Sequence, residues 1–171
     1  MPISMSSASL PIFKVMLGNL NHFLDKAQAY AETKKFEPVA LMQARLAPDM
    51  LPFTSQVLTA CDSAKNGIAR ISGITAPRFD DTETTIAELK ARIQKTLDYL
   101  DTVTEDKLDG TEDKEITFPI GRDATRTMKA EAYLKHHVLP NFFFHVTTAY
   151  ALLRHNGVDI GKKDYLAGSR S

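Results

Sequence analysis

Apolar side chains recur every three or four positions in several stretches of the chain, and each such stretch predicts a helix with one buried face. From Leu10 to Ala31 the period is carried by Ile12, Met16, Leu20, Phe23, Ala27 and Ala31, joined by Phe13, Leu17 and Leu24. Pro11 suits the first turn, where a missing N–H costs nothing, and the KKFEP stretch around Pro38 marks the end. A short apolar piece, PVALMQARL, follows. The second run is Phe53, Val57, Ala60, Cys61, Ala64, Ile68 and Ile71, with Asp49 expected as its N-cap and Gly73 in a C-terminal capping position. The loop ITAPRFDDTE leads to Thr85 and Glu88, which have capping-box spacing, and then to the third run of Ile86, Leu89, Ile93, Leu97, Leu100 and Val103.

Between residues 105 and 129 the pattern changes. Acidic and turn-forming residues come first, then EITFPI, GRDA and TRTMKA, which read as two short extended segments around a turn. Pro119 confines its strand to an edge. Helical periodicity resumes near Ala130 in AEAYLKHHV, is expected to be interrupted at Pro140, and continues through Leu153 to a stop at Gly157. No repeat, low-complexity tract or linker divides the chain. The expectation is one all-α domain over residues 1–171, its long amphipathic segments buried on one another, with a small β-hairpin or extended insertion before the last helix. The alternative is a more irregular helical fold in which the hairpin packs as a lid.

Composition narrows the function classes. A chain of 171 residues can bury about two thirds of its unfolded surface around one core. Lys plus Arg equals Asp plus Glu, at 21 each, so no net field steers it to nucleic acid or an anionic membrane. The aromatics Phe142 to Phe144 lack basic interleaving, which also argues against a nucleic-acid surface. No apolar run approaches the roughly 20 residues that span a bilayer. The one cysteine, Cys61, cannot form an intramolecular disulfide, and the start has no basic region before its apolar residues. A reduced, cytoplasmic setting is the expectation. There is no glycine-rich phosphate loop, GxSxG elbow, HExxH pair or cysteine ladder for zinc.

The candidate chemistry lies in LPNFFFHVTTAYALLRHNG, residues 139–157. On a helix advancing about 100° per residue, His145 shares a face with Asn141, Thr148, Ala149, Leu152 and Asn156 and so points inward. Asn141 and His145, four apart, could converge on one ligand or metal. The competing reading is a neutral core imidazole bonded to Asn141, a threonine hydroxyl or a group on another helix. Asn is a poor transition-metal ligand, and no second histidine shares the face. His155 is expected to be exposed or to cap the helix end. His136 and His137 diverge by about 100°, giving one packed and one solvated ring, and His22 sits at a boundary. Cys61 reads as a small buried hydrophobe, and Asp62 as a partner of solvent or Lys65. Arg45 and Asp49 could also stand at a pocket mouth. Among the three phenylalanines at least one ring should reach beyond a single helix face, and a subunit interface through Phe143 is one expectation.

The ending HVTTAYALLRHNGVDIGKKDYL resembles the last helix of DinB/YfiT-like proteins. Taken with RLAPDMLPFTSQV and LPNFFFHVTTAYALLRHNG, nearly the whole chain resembles an uncharacterised bacterial family grouped with that superfamily. The resemblance implies a DinB-like four-helix bundle with a crossover connection, often a homodimer. Many DinB-like proteins hold a divalent metal with three histidines, one from the second helix and an HxxxH pair from the last. Here that pair falls on Asn141 and His145, and the second helix has no histidine, so the implied metal site is lost or heavily altered. Two expectations follow. One is a small-molecule-binding or interaction module with a degenerate metal site and no cofactor. The other is a metal- or thiol-dependent transferase that uses the His145/Asn141 face, with Zn, Ni, Mn or Fe as the metal.

Overall fold

In the computed structural model, which describes residues 3–168, the periodic stretches become helices α1 (Leu10–Lys34), α2 (Val39–Met42), α3 (Phe53–Ser72), α4 (Ile86–Asp101), α5 (Ala130–Tyr133), α6 (Leu139–His155) and α7 (Lys162–Ala167). The extended pair becomes β1 (Glu115–Ile120) and β2 (Ala124–Lys129). The molecule is mostly helical, with this one antiparallel hairpin among the described residues.

The long helices pack on one another around a single apolar cluster. α3 lies against α6 and α4, and α1 against α4, α6 and α7. Phe13, Leu17, Leu20, Phe23 and Leu24 of α1 are fully buried, as are Val57, Ala60, Cys61, Ala64 and Ile68 of α3. Each such Leu or Phe contributes about 1.5–3 kcal/mol relative to exposure. The ends of the helices follow local chemistry. Pro11 occupies the first turn of α1, and Lys35 closes it in the left-handed region at φ 59°. Gly73, at φ 77°, closes α3, where a side chain would be strained. Thr85 and Glu88 form the expected capping box on α4.

Asp49 does not cap α3. The helix begins after Pro52, which is extended at φ −68°, ψ 165°, and no side chain caps it. The entry is held from elsewhere: Phe53 N–H donates to Ala44 O at 2.9 Å, and Thr54 Oγ1 donates to Met42 O at 3.1 Å. Proline fixes the approach and removes the donor that an N-cap aspartate would serve, so Asp49 is left exposed in the preceding turn.

The interruption expected at Pro140 falls just before it, as a change of helix type rather than a break. The chain passes from α5 to α6 through a π-helical turn, Leu134–Val138, in which Leu139 N–H donates to Leu134 O five residues back. A proline ring crowds the carbonyl four residues before it and offers no N–H, and one wide turn absorbs both defects. The hairpin packs on this turn: Ile116 and Phe118 point inward and are buried, and the Phe118 ring lies 4.5 Å from Tyr133 and 4.4 Å from His137. Pro119 sits on the two-stranded hairpin opposite Thr125, where a missing ladder donor is tolerated. At the other end α7 folds back on α1 through His22 and Asp164, 2.9 Å apart, and an Asn19 amide that donates to Tyr165 O at 2.7 Å.

Candidate functional site

The seam between α3 and α6 carries polar groups in two tiers, the inner one buried and the outer one half-buried. In the inner tier His145 Nδ1 stands 2.7 Å from Gln56 Oε1. Gln56 Nε2 donates to Leu51 O at 3.0 Å, so the amide oxygen is the atom turned to the imidazole and Nδ1 carries the hydrogen. Burial holds the His145 pKa below its ordinary value, which matches a neutral ring. In the outer tier Asn141 Nδ2 donates to Ser63 Oγ at 2.7 Å, and Ser63 Oγ donates to Thr59 O at 2.7 Å. His145 and Asn141 therefore share a helix face, as their spacing requires, but each bonds across to a different residue of α3. The imidazole is buried and has its partner on another helix.

Beyond the outer tier the seam opens into a cleft of about 190 Å³. Asp62, Ser63, Asn66 and Arg70 line its α3 wall, and Tyr133, His137 and Asn141 line the facing wall. Asp62, Asn66 and Arg70 are spaced four apart, so they form one stripe beside the apolar face of α3. Arg70 Nη1 donates to Tyr133 Oη at 2.9 Å. His137 stacks on Tyr133, with ring centroids 5.5 Å apart and planes at 16°. Its pKa is lowered, first by burial and then by Arg70 and Arg126. Burial pushes the Tyr133 phenol up. As the spacing indicates, His137 is the packed ring of its pair and His136 the solvated one.

Asp62 bridges this cleft to a charged cluster behind it. Its carboxylate is 2.9 Å from Lys65 Nζ and 3.8 Å from Arg92 Nη1. Arg92 is held by Glu83 at 2.7 Å and Asp81 at 2.5 Å, and Phe79 lies under both cations, 4.3 Å from Lys65 Nζ and 4.9 Å from the guanidinium carbon. This cluster ties the connection between α3 and α4 to the helices. Cys61 is fully enclosed, and burial pushes its thiol up to about 12, so it is protonated and unreactive at neutral pH.

Of the residues singled out in the sequence, Asn141 lines the cleft and His145 lies behind it. Arg45 and Asp49 do not line it: both are exposed, and Arg45 donates to Met50 O within its own turn. Gln56, Ser63, Asn66, Arg70 and Tyr133 were not legible as site residues, although the polar stripe along α3 was the available signal. The donors do not fit the three-histidine metal site. Asn141 and Gln56 offer amides, and α3 brings no imidazole. Among the described residues no group of three or more His, Cys, Asp or Glu side chains is placed to hold a metal ion.

By its likeness to known proteins this helical molecule with its hairpin is a DinB-like protein. It is similar to the crystal structure of a DinB family member protein from Shewanella denitrificans, with 43% sequence identity, 93% of this chain and 89% of that chain covered, and a TM-score of 0.85. The chain belongs to the family described as Domain of unknown function (DUF1993), whose model matches residues 5–166. No curated protein matches it. Among the described residues no helix is long and apolar enough to cross a membrane.

Proposed function

We propose that this protein is a small-molecule-binding member of the DinB-like proteins and that its ligand occupies the cleft between α3 and α6 without a metal. The observation that carries the reading is the chemistry of the seam. Hydroxyl, amide, guanidinium and imidazole groups converge on one cleft at Asn141, while the groups deeper in satisfy one another. A site lined in this way orients a polar ligand by hydrogen bonds rather than by coordination. In the same reading α1, α3, α4 and α6 act as a four-helix bundle whose crossover connection leaves the cleft open. The protein pairs as a homodimer through the face of Phe144, which is 54% exposed and adjoins the half-exposed Leu46, rather than through Phe143 itself, which is partly buried against the core.

The transferase alternative, with His145 and Asn141 orienting a metal or thiolate, is less well supported. His145 is 7% exposed, bonded to Gln56, and not among the residues lining the cleft. Elemental analysis of protein purified without chelator separates the two readings. Substoichiometric Zn, Ni, Mn and Fe, together with thermal-shift responses to small polar solutes that vanish in Asn141→Leu, is the expected result. Stoichiometric metal that is lost in His145→Ala would overturn it. For the dimer, Phe144→Glu is expected to halve the mass measured by light scattering. A wild type already monomeric at high concentration removes that part of the reading.

A further inference from the structure

We propose that the cleft takes a small organic oxyanion, a carboxylate or phosphate ester, whose charged group is held by Arg70 and Tyr133 beside the ring of His137. The proposal rests on the cleft being the ligand site. It comes from the charge inventory at the His137 end. Arg70 is half-buried and uses one nitrogen on Tyr133 Oη, and among the described residues no carboxylate lies within ion-pair distance of it. Arg126, on β2 opposite Phe118, also has none and, like Arg70, acts on His137 through its charge. By contrast Lys65 and Arg92, on the other side of Asp62, both have carboxylates beside them. One end of the cleft is thus locally balanced, and the other has Arg70 in its wall with no protein carboxylate beside it and Arg126, outside the lining, near enough to act on His137.

The donors at that end have a direction. Because Tyr133 Oη accepts from Arg70, the phenol hydrogen is left to donate elsewhere. The planar guanidinium keeps further N–H groups, a geometry suited to a carboxylate or phosphate. Fork, phenol and a neutral imidazole under a positive potential form a receptor for an oxyanion. The remainder of the ligand lies along Asn66, Ser63 and Asn141 toward Asp62, eight residues and about 12 Å along the helix from Arg70, which accepts a hydroxyl or amine. The volume of about 190 Å³ limits the ligand to a small one.

Titration of the full-length protein by calorimetry and by NMR of the His137 ring tests this, with succinate, malate and glycerol 3-phosphate as probes, succinamide as the uncharged counterpart and inorganic phosphate as the bare anion. At least one organic acid is expected to bind saturably and move the His137 resonances, while succinamide does neither. Arg70→Gln is expected to weaken that binding roughly tenfold to a hundredfold, as loss of a charge-assisted contact should, and Arg70→Lys to restore part of it. Because Arg70→Gln could loosen the fold, Arg126→Gln, at an exposed side chain of the hairpin, provides a second arm, with a several-fold weakening that fades at high salt. Binding unchanged in both variants, succinamide binding as tightly as succinate, phosphate binding as tightly as the organic probes, or no probe moving His137 would each overturn the proposal. Neutral solutes that bind through Asn141 while all acids are inert would overturn it yet leave the ligand-site reading intact. Inertness of both groups would remove that reading as well.

Discussion

Arg92 is 2% exposed, and a guanidinium at that depth persists only because Glu83, Asp81 and the Asp80 carbonyl surround it. All three partners lie on the connection between α3 and α4. Arg92→Met is expected to cost about 3–5 kcal/mol in urea denaturation, because it strands Glu83 and unties the connection. Asp81→Asn, at a side chain 63% exposed, is expected to cost at most about 1 kcal/mol. Equal losses in the two variants would show that the ion pairs do not hold the loop. His145 makes a different prediction. Its folded-state pKa is depressed by burial, so above the unfolded value of about 6.5 neither state binds the proton and pH has no effect through this group. As pH falls below that value the unfolded chain takes up a proton that the folded chain refuses, and stability is lost. His137 is depressed too, so the loss between pH 7 and 5 should shrink in His145→Gln without vanishing. A variant as steep as the wild type would mean that His145 is not held neutral. The inward direction of His145 could be read from helical angle alone, but Gln56 lies 89 residues away, and the register between two helices is set by packing that one sequence does not display.

At the level of elements, α3 and the π-helical turn approach each other closely. A Cβ placed on Gly67 would meet Val138 Cγ1 at 2.5 Å, and Val138 is itself buried. Glycine lets the two backbones close up at the floor of the cleft. Gly67→Ala is therefore expected to destabilise by about 1–2 kcal/mol, because overpacking of about 1–3 kcal/mol exceeds the roughly 1 kcal/mol that alanine gains in a helix interior. Val138→Ala in the same chain should recover most of this, and additive losses in a double-mutant cycle would argue against the contact. Elements whose ends are set locally were legible in the sequence: the capping box at Thr85 and Glu88, the stop at Gly73, and the hairpin with its edge proline. Asp49 misled because its position invites a local rule, a cap, that tertiary contacts override: the Ala44 and Met42 carbonyls hold the entry to α3. The interruption expected at Pro140 is a π-helical turn that ends two residues before it.

For the molecule as a whole, the question is whether the cleft sits on a core that opens only as one unit. Cys61 can report on this, being the single cysteine of the chain, fully enclosed within the apolar cluster between α3 and its neighbours. Two barriers protect it. The reagent cannot reach the sulfur without separating packed helices, and the thiol, pushed up to about 12, supplies almost no thiolate at neutral pH until it meets water. Labelling by a thiol-specific reagent in native buffer should therefore be far slower than for a free thiol. With added urea it should accelerate along the same curve as the loss of helical circular dichroism, since one cooperative core exposes the cysteine only when it unfolds. Labelling that runs ahead of the helical signal would locate a partial opening of α3 from α4 or α6. Because α3 also forms one wall of the cleft, a ligand bound there should slow that opening in proportion to its occupancy, and the same thiol then measures binding without any assumption about the chemistry performed.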